Sequence, residues 1–366
     1  MRGRVRHATT ALLVVFCLLC PGRAAHAQDR GGSAAAAPAS AAPEWQVRPP
    51  AEWGLDAGRL GAAYRRAAEL GPLNGLLVAR RGTLVAEQYW NGVSPRDDVN
   101  IKSASKAVLS ALVGIALEQG LLESLDQPVA DFFPEHLGDD ADPRKLEITI
   151  RDLLTMRSGL ETTSFENYGR WVAGDDWVEG VLDQPLVAEP GGRFIYSTGS
   201  SHLLSVILTR ASGSSTLAFA REHLFDPLGI EPGGWQRDPQ GYYYGGNNLS
   251  LSPREMRRFG ELYLNYGRWE GRQVLPAAWV RDSWRVYTHS RRHGYGFGYY
   301  WWTRRLAGHT VHYAWGYGGQ FIFVVPELEM VVVTASTNRP ETRGGGSHLR
   351  DIYELLQRDV LPAARG

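Results

Sequence analysis

From Ala104 to Leu117 the chain carries a run that is apolar nearly all round, including Ala107, Val108, Leu109, Ala111, Leu112, Val113, Ile115, Ala116 and Leu117. A helix with so little polar face has to run through a core. Lys106 interrupts it near its start, where an ammonium is costly to keep charged. Of the 39 basic residues only Lys102, Lys106 and Lys145 are lysines, and the other 36 are arginines. A guanidinium cannot release its proton in a protein, whereas a desolvated ammonium can, so the choice of lysine at 106 permits a general base that arginine would forbid.

Ser103 precedes Lys106 by three residues, giving the pattern Ser-x-x-Lys. Residues three apart on a helix are neighbours, so the amine is brought towards the hydroxyl as nucleophilic catalysis by serine requires. The helix start adds free N–H groups and a positive dipole end that favour an anion. Ser105 falls on another face than Lys106 and is the poorer nucleophile.

The stretch 100–119, Gly159-Leu160, Glu189-Pro190-Gly191, Phe194-Ile195-Tyr196-Ser197 and Gly316-Tyr317-Gly318-Gly319-Gln320 occur in this order. Together they resemble the β-lactamase-like, penicillin-recognising serine hydrolases, with closest similarity to the esterase and 6-aminohexanoate-dimer-hydrolase-like branch related to class C β-lactamases. The resemblance covers the chain from about Trp53 to the C-terminus. It implies a two-step acyl transfer in which Ser103 attacks a carbonyl and Lys106 takes or shares its proton. Tyr196 would relay protons to the leaving group and from water, its pKa lowered by a neighbouring ammonium. Thr198 stands where relatives carry an Asn, which removes an amide that would hold a substrate carbonyl.

The Lys-Thr-Gly motif of β-lactamases and penicillin-binding proteins has no counterpart, because Lys145 is the last lysine. Ala314-Trp315-Gly316-Tyr317-Gly318-Gly319-Gln320 takes that place, and the resemblance implies an oxyanion hole from the N–H groups of Ser103 and Tyr317. Tyr168, Thr198, Trp315, Gly316 and Gln320 are the expected substrate contacts. Loss of the lysine favours an ester or amide without an obligatory carboxylate, although His312 and arginines could substitute in part. Two alternatives stay open: β-lactamase or D-Ala-D-Ala peptidase activity, and a catalytically silent ligand-binding module of the same fold.

Arg2, Arg4 and Arg6 precede an apolar stretch from Ala8 to Cys20, and Ala25-His26-Ala27 fits a cleavage site. This pattern predicts a signal peptide over 1–27, cleaved after Ala27, and a periplasmic or secreted protein with no membrane insertion afterwards. Both cysteines, Cys17 and Cys20, fall within it. Its removal takes four arginines and no acids, leaving the mature chain at net charge −4. Residues 28–50, rich in Ala, Pro, Ser and Gly, read as a flexible linker.

No metal site, cofactor or nucleic-acid partner is expected. His309 and His312 lie three apart on a strand and so face opposite sides, and the acidic run Gly138 to Asp142 lacks the later ligands of a calcium loop. No phosphate-cradling loop follows a strand, and the arginines form no basic block.

Short runs rich in apolar, β-branched and aromatic residues predict strands at Leu76 to Ala79, Leu84 to Tyr89, Tyr295 to Trp302, Phe321 to Val325 and Met330 to Ala335. Helices are expected at Asp56 to Leu70 and Leu349 to Val360, with mostly helical chain between. The fold class is therefore α+β. An antiparallel sheet with N- and C-terminal helices (about 51–119 and 285–366) carries an inserted helical part (about 120–284) in one domain, 51–366. Trp90, Trp171, Trp177, Trp301, Trp302 and Trp315 lie near the motifs and are candidates for an aromatic pocket wall.

Overall fold

The computed structural model describes residues 47–137, 142–291, 293–337 and 345–364. The expected signal peptide, its cleavage site, residues 28–46 of the linker and the acidic run apart from Asp142 lie outside the described residues.

Eight antiparallel strands form the main sheet: β1 (Leu73–Arg80), β2 (Thr83–Tyr89), β3 (Thr288–His289), β4 (Gly296–Phe297), β5 (Trp302–Leu306), β6 (His309–Gly316), β7 (Gln320–Val325) and β8 (Met330–Ser336). Their order is β2-β1-β8-β7-β6-β5-β4-β3. The two ends of the chain meet at β1 and β8, where Leu77 pairs with Val333. β1, β7 and β8 are buried at every position, and each carries an apolar run, Leu76–Ala79, Phe321–Val325 and Met330–Val333, as strands covered on both faces require. Arg81 (φ 50°) and Gly82 (φ 74°) turn the β1–β2 hairpin, and two left-handed residues suit the right-handed twist of the strands they join.

The expected strand from Tyr295 to Trp302 is broken in two. Gly298 passes so close to the helix Ala277–Trp284 that a Cβ there would lie 2.0 Å from the Ser283 carbonyl. Tyr300 then adopts φ 64° and its hydroxyl donates to the Leu153 carbonyl at 2.9 Å. The alternation of side chains could not reveal a bend that tertiary contacts impose.

Five helices complete the frame: α1 (Ala57–Ala68), α2 (Ser105–Glu118), α3 (Thr198–Ser212), α4 (Pro253–Leu264) and α5 (Gly345–Leu355). Asp56 caps α1 by accepting from Arg59 N–H at 3.0 Å, and Ser252 with Glu255 forms a capping box on α4. α1 and α5 pack together, and Arg66 of α1 reaches Glu354 at 3.2 Å and Asp359 at 2.9 Å. α4 lies directly on β1, β7 and β8 across Gly260, whose absent Cβ would meet Val331 at 2.7 Å and Ile322 at 2.8 Å. Every residue of α2 from Ser105 to Ala116 is buried, between α3 and the sheet. That burial is what its all-round apolar sequence demands.

Candidate active site

Ser103 lies in a 3-10 turn, Lys102–Ala104, that runs straight into α2. Side chains three apart eclipse in such a turn, and Lys106 Nζ stands 3.1 Å from Ser103 Oγ. Lys102, just before the nucleophile, has φ 52°, a sparsely populated conformation for a side-chain-bearing residue. It is held there because its N–H donates to Asn100 Oδ1 at 2.9 Å and its carbonyl accepts from Ser105 Oγ at 2.5 Å. Ser105 also accepts from the Leu249 N–H and is fully buried, so its hydroxyl is committed to the backbone.

Lys106 is 2 % exposed, and burial holds its amine well below the usual lysine range. The nitrogen faces three acceptors, the Gly246 carbonyl at 2.6 Å, Ser103 Oγ at 3.1 Å and Thr198 Oγ1 at 3.4 Å; once the amine loses its proton, its lone pair can take the Ser103 hydroxyl hydrogen while Gly246 and Thr198 keep the other two. Gly246 was not among the residues expected from sequence. A small sheet of Val99–Asn100, Leu249–Leu251 and Gly234–Trp235 holds its segment against the nucleophile turn. A Cβ at Gly246 would sit 3.0 Å from Lys106 Nζ and 2.0 Å from Ser201 Oγ, so the close approach requires glycine. The only local signal is the run Gly245-Gly246-Asn247-Asn248, which no spacing ties to Ser103.

Tyr196 precedes α3 and is fixed from the loop 156–165. Ile195 N–H donates to the Met156 carbonyl at 2.8 Å, and Thr162 Oγ1 donates to the Tyr196 carbonyl at 2.6 Å. Lys106 Nζ lies 5.1 Å from the Tyr196 ring centroid. The expected lowering of the phenol pKa is corrected: burial pushes it up to about 12, and a hydrogen bond with Ser103 only partly opposes this. The same burial disfavours the charged form of Lys106 and so weakens the pull an ammonium would exert on the phenol.

Thr198 is buried at the start of α3 and shares a 2.9 Å hydrogen bond with Ser164 while touching Lys106. Its place is against the lysine. Tyr168 accepts from Asn247 Nδ2 at 3.3 Å, beside Gly246. Gly316 passes so near the Ser103 turn that a Cβ would meet the Ile101 carbonyl at 2.0 Å, and Trp315 stacks on Phe321. Tyr317 projects at 73 % exposure, and its N–H has no acceptor among the described residues. Gln320 departs from expectation as a substrate contact: it is wholly buried, and its amide is taken by both backbone groups of Ser336.

The aromatic wall is also narrower than the tryptophan positions suggested. Trp302 stacks on Tyr196 at 6.3 Å, Phe165 and Phe194 approach the same ring, and Trp315 meets Trp302 edge-on. Trp301 packs instead on Tyr263 in the core, Trp171 and Trp177 surround His202 and Tyr244, and Trp90 lies by Tyr64. His312 cannot replace the missing lysine. It stacks on Trp284 at 4.4 Å, bonds Thr303, and burial lowers its imidazole to about 4.

Residues 54–357 match the protein family described as Beta-lactamase. A 6-aminohexanoate-dimer hydrolase of Paenarthrobacter ureafaciens is 23 % identical over 294 residues, 73 % of each chain. Among solved structures, a putative 6-aminohexanoate-dimer hydrolase from Bacillus anthracis superposes with a TM-score of 0.66 at 22 % identity, over 80 % of this chain and 82 % of that one. EstCE1, a hydrolase with promiscuous acyltransferase activity, gives 0.65 at 18 % identity, over 82 % and 98 %. The match over most of its length shows that this chain belongs to the β-lactamase family of serine hydrolases.

Proposed function

We propose that this protein is an exported serine hydrolase that cleaves carboxylic ester or amide bonds through an acyl-enzyme on Ser103. The observation that carries the reading is the 3.1 Å approach of a buried, neutral-leaning Lys106 amine to Ser103 Oγ. As Oγ bonds to the substrate carbonyl carbon, its proton passes to Lys106 Nζ and the carbonyl electron pair moves onto oxygen, towards the N–H groups of Ser103 and Tyr317. Tyr196, a neutral phenol by its raised pKa, protonates the leaving oxygen or nitrogen as the tetrahedral centre collapses, and Lys106 returns a proton to it. Water repeats the sequence on the ester of Ser103 and releases the acid. Export is supported by the basic and apolar pattern of residues 1–27.

The site favours substrates with an apolar group and no required carboxylate. Phe165, 67 % exposed, and Trp302 lie against the Tyr196 ring, Tyr317 is 73 % exposed on the turn after Gly316, and no lysine follows Lys145. Activity as a β-lactamase or peptidase would use the same nucleophile but would need another cation for the carboxylate. A silent binding module would have no need of an ionisable amine buried in α2.

Intact-mass spectrometry after a fluorophosphonate probe tests the reading. One adduct is expected on the wild type, none on Ser103→Ala, and labelling slowed roughly a hundredfold in Lys106→Ala for want of a base. A folded wild type that takes no adduct would sink it. Nitrocefin turnover faster than that of a p-nitrophenyl ester would transfer the proposal to the β-lactamase reading.

A further inference from the structure

The turn between β6 and β7 that presents Tyr317 is held from behind by a buried polar cluster with no part in the proton transfers above. Gly319 adopts φ 102°, and its carbonyl accepts two hydroxyls from β8, Thr334 Oγ1 at 2.9 Å and Ser336 Oγ at 3.2 Å. With the single Ser336 hydroxyl hydrogen given to Gly319, His348 Nε2, 3.0 Å away on α5, is the donor to Ser336 Oγ in its Nε2–H tautomer. Gln320 closes the cluster by donating to the Ser336 carbonyl at 2.6 Å and accepting from the Ser336 N–H at 3.1 Å. All four side chains are buried. There is no slack in the arrangement, since a Cβ on Gly319 would lie 2.7 Å from Ser336 Oγ and 2.9 Å from His348 Nε2.

Burying four polar side chains beside a sheet costs desolvation that plain apolar packing would avoid. Here the cluster converges on one peptide, two residues from the N–H that would receive the oxyanion. Such a donor acts only if its direction is fixed before charge develops. We propose that Ser336 and His348 are positioning residues: through the Gly319 carbonyl they set the turn and so aim the Tyr317 N–H. His348 serves as the neutral Nε2–H form. Burial lowers its pKa against the opposing influence of Asp351, and Nδ1 has no hydrogen-bond partner among the described residues for a second proton. The use made of the N–H rests on the hydrolase reading, whereas the pinning of the turn does not.

The test compares wild type, Ser103→Ala, Ser336→Ala, His348→Leu and His348→Gln. It combines p-nitrophenyl ester kinetics, inhibition by an arylboronic acid whose tetrahedral adduct places an oxygen at the oxyanion position, and hydrogen–deuterium exchange of a peptide covering 315–321. In Ser336→Ala and His348→Leu, kcat should fall roughly tenfold with KM within about twofold, and the boronate Ki should rise by about the factor that kcat/KM loses. Exchange at the turn should quicken in both. His348→Gln, whose amide N–H replaces Nε2–H, should recover to within about threefold of wild type. Unchanged exchange in the folded variants overturns the pinning, and a loss of kcat without a rise in Ki overturns the aiming of the N–H. If wild-type turnover is absent, or survives in Ser103→Ala, the hydrolase reading fails instead and exchange alone decides the pinning.

Discussion

A lysine held neutral inside a protein destabilises the fold, because unfolding returns it to water where it regains its proton. For Lys106 the folded pKa is well below the ordinary lysine value of 10.5, so between the two values the unfolded chain binds more protons and stability falls as pH drops. The loss is complete below the folded pKa and vanishes above the unfolded one. Lys106→Met should therefore abolish turnover yet raise stability by on the order of 1 kcal/mol near neutral pH, a Tm gain of about 2 °C for a chain of this size. Calorimetry over a pH series checks the sign: the gain should shrink as pH climbs towards the ordinary lysine range, and a gain that grows would contradict a neutral Lys106. Ser103 and Lys106 were legible in the sequence because three-residue spacing is a local property of a helical turn. The direction of the Tyr196 pKa was not, since it depends on burial, and Gly246 was missed because its role arises where a distant loop meets α2.

Among the elements, α2 shows how packing overrules propensity. Gly114 sits mid-helix, where replacement by alanine should favour the helix by about 1 kcal/mol on intrinsic preference alone. A Cβ at that position, however, would lie 2.4 Å from the Trp279 ring on the helix Ala277–Trp284, and overpacking of this kind costs roughly 1–3 kcal/mol. The second effect should win, with Gly114→Ala lowering Tm by up to about 4 °C in thermal unfolding; a rise would mean that Trp279 can shift at little cost. The same balance governed what could be read beforehand. The all-round apolar character of α2 and the uninterrupted runs of β1, β7 and β8 announced burial directly. The break between β4 and β5 could not be read, because Gly298 and Tyr300 bend for partners on other elements, Ser283 and Leu153.

At the scale of the whole molecule, the antiparallel sheet joining both ends of the chain followed from where the strand patterns fell, and the order of motifs tied that sheet to a family. The charge of the molecule offers no help in choosing a substrate. The full chain balances 39 basic against 39 acidic residues and the exported form would carry net charge −4, so no net positive field steers an anion to the site. Discrimination must then come from groups within reach of the bound ligand. There the late sheet supplies the rings of Trp302 and Trp315 near Tyr196, while His312 is turned onto Trp284 with its imidazole lowered to about 4. A substrate carboxylate entering that wall would lose water without gaining a charged partner from the rings, a penalty of about 1–3 kcal/mol unless Lys102, beside Ser103, reaches it. A neutral p-nitrophenyl ester should accordingly exceed its ω-carboxylate counterpart of equal length in kcat/KM by roughly tenfold or more. The ratio should change little with added salt, because the cause is desolvation and not long-range attraction. Preference for the carboxylate ester, weakening as salt rises, would instead require a cation in the cleft, and arginine substitutions around the site would then have to identify it.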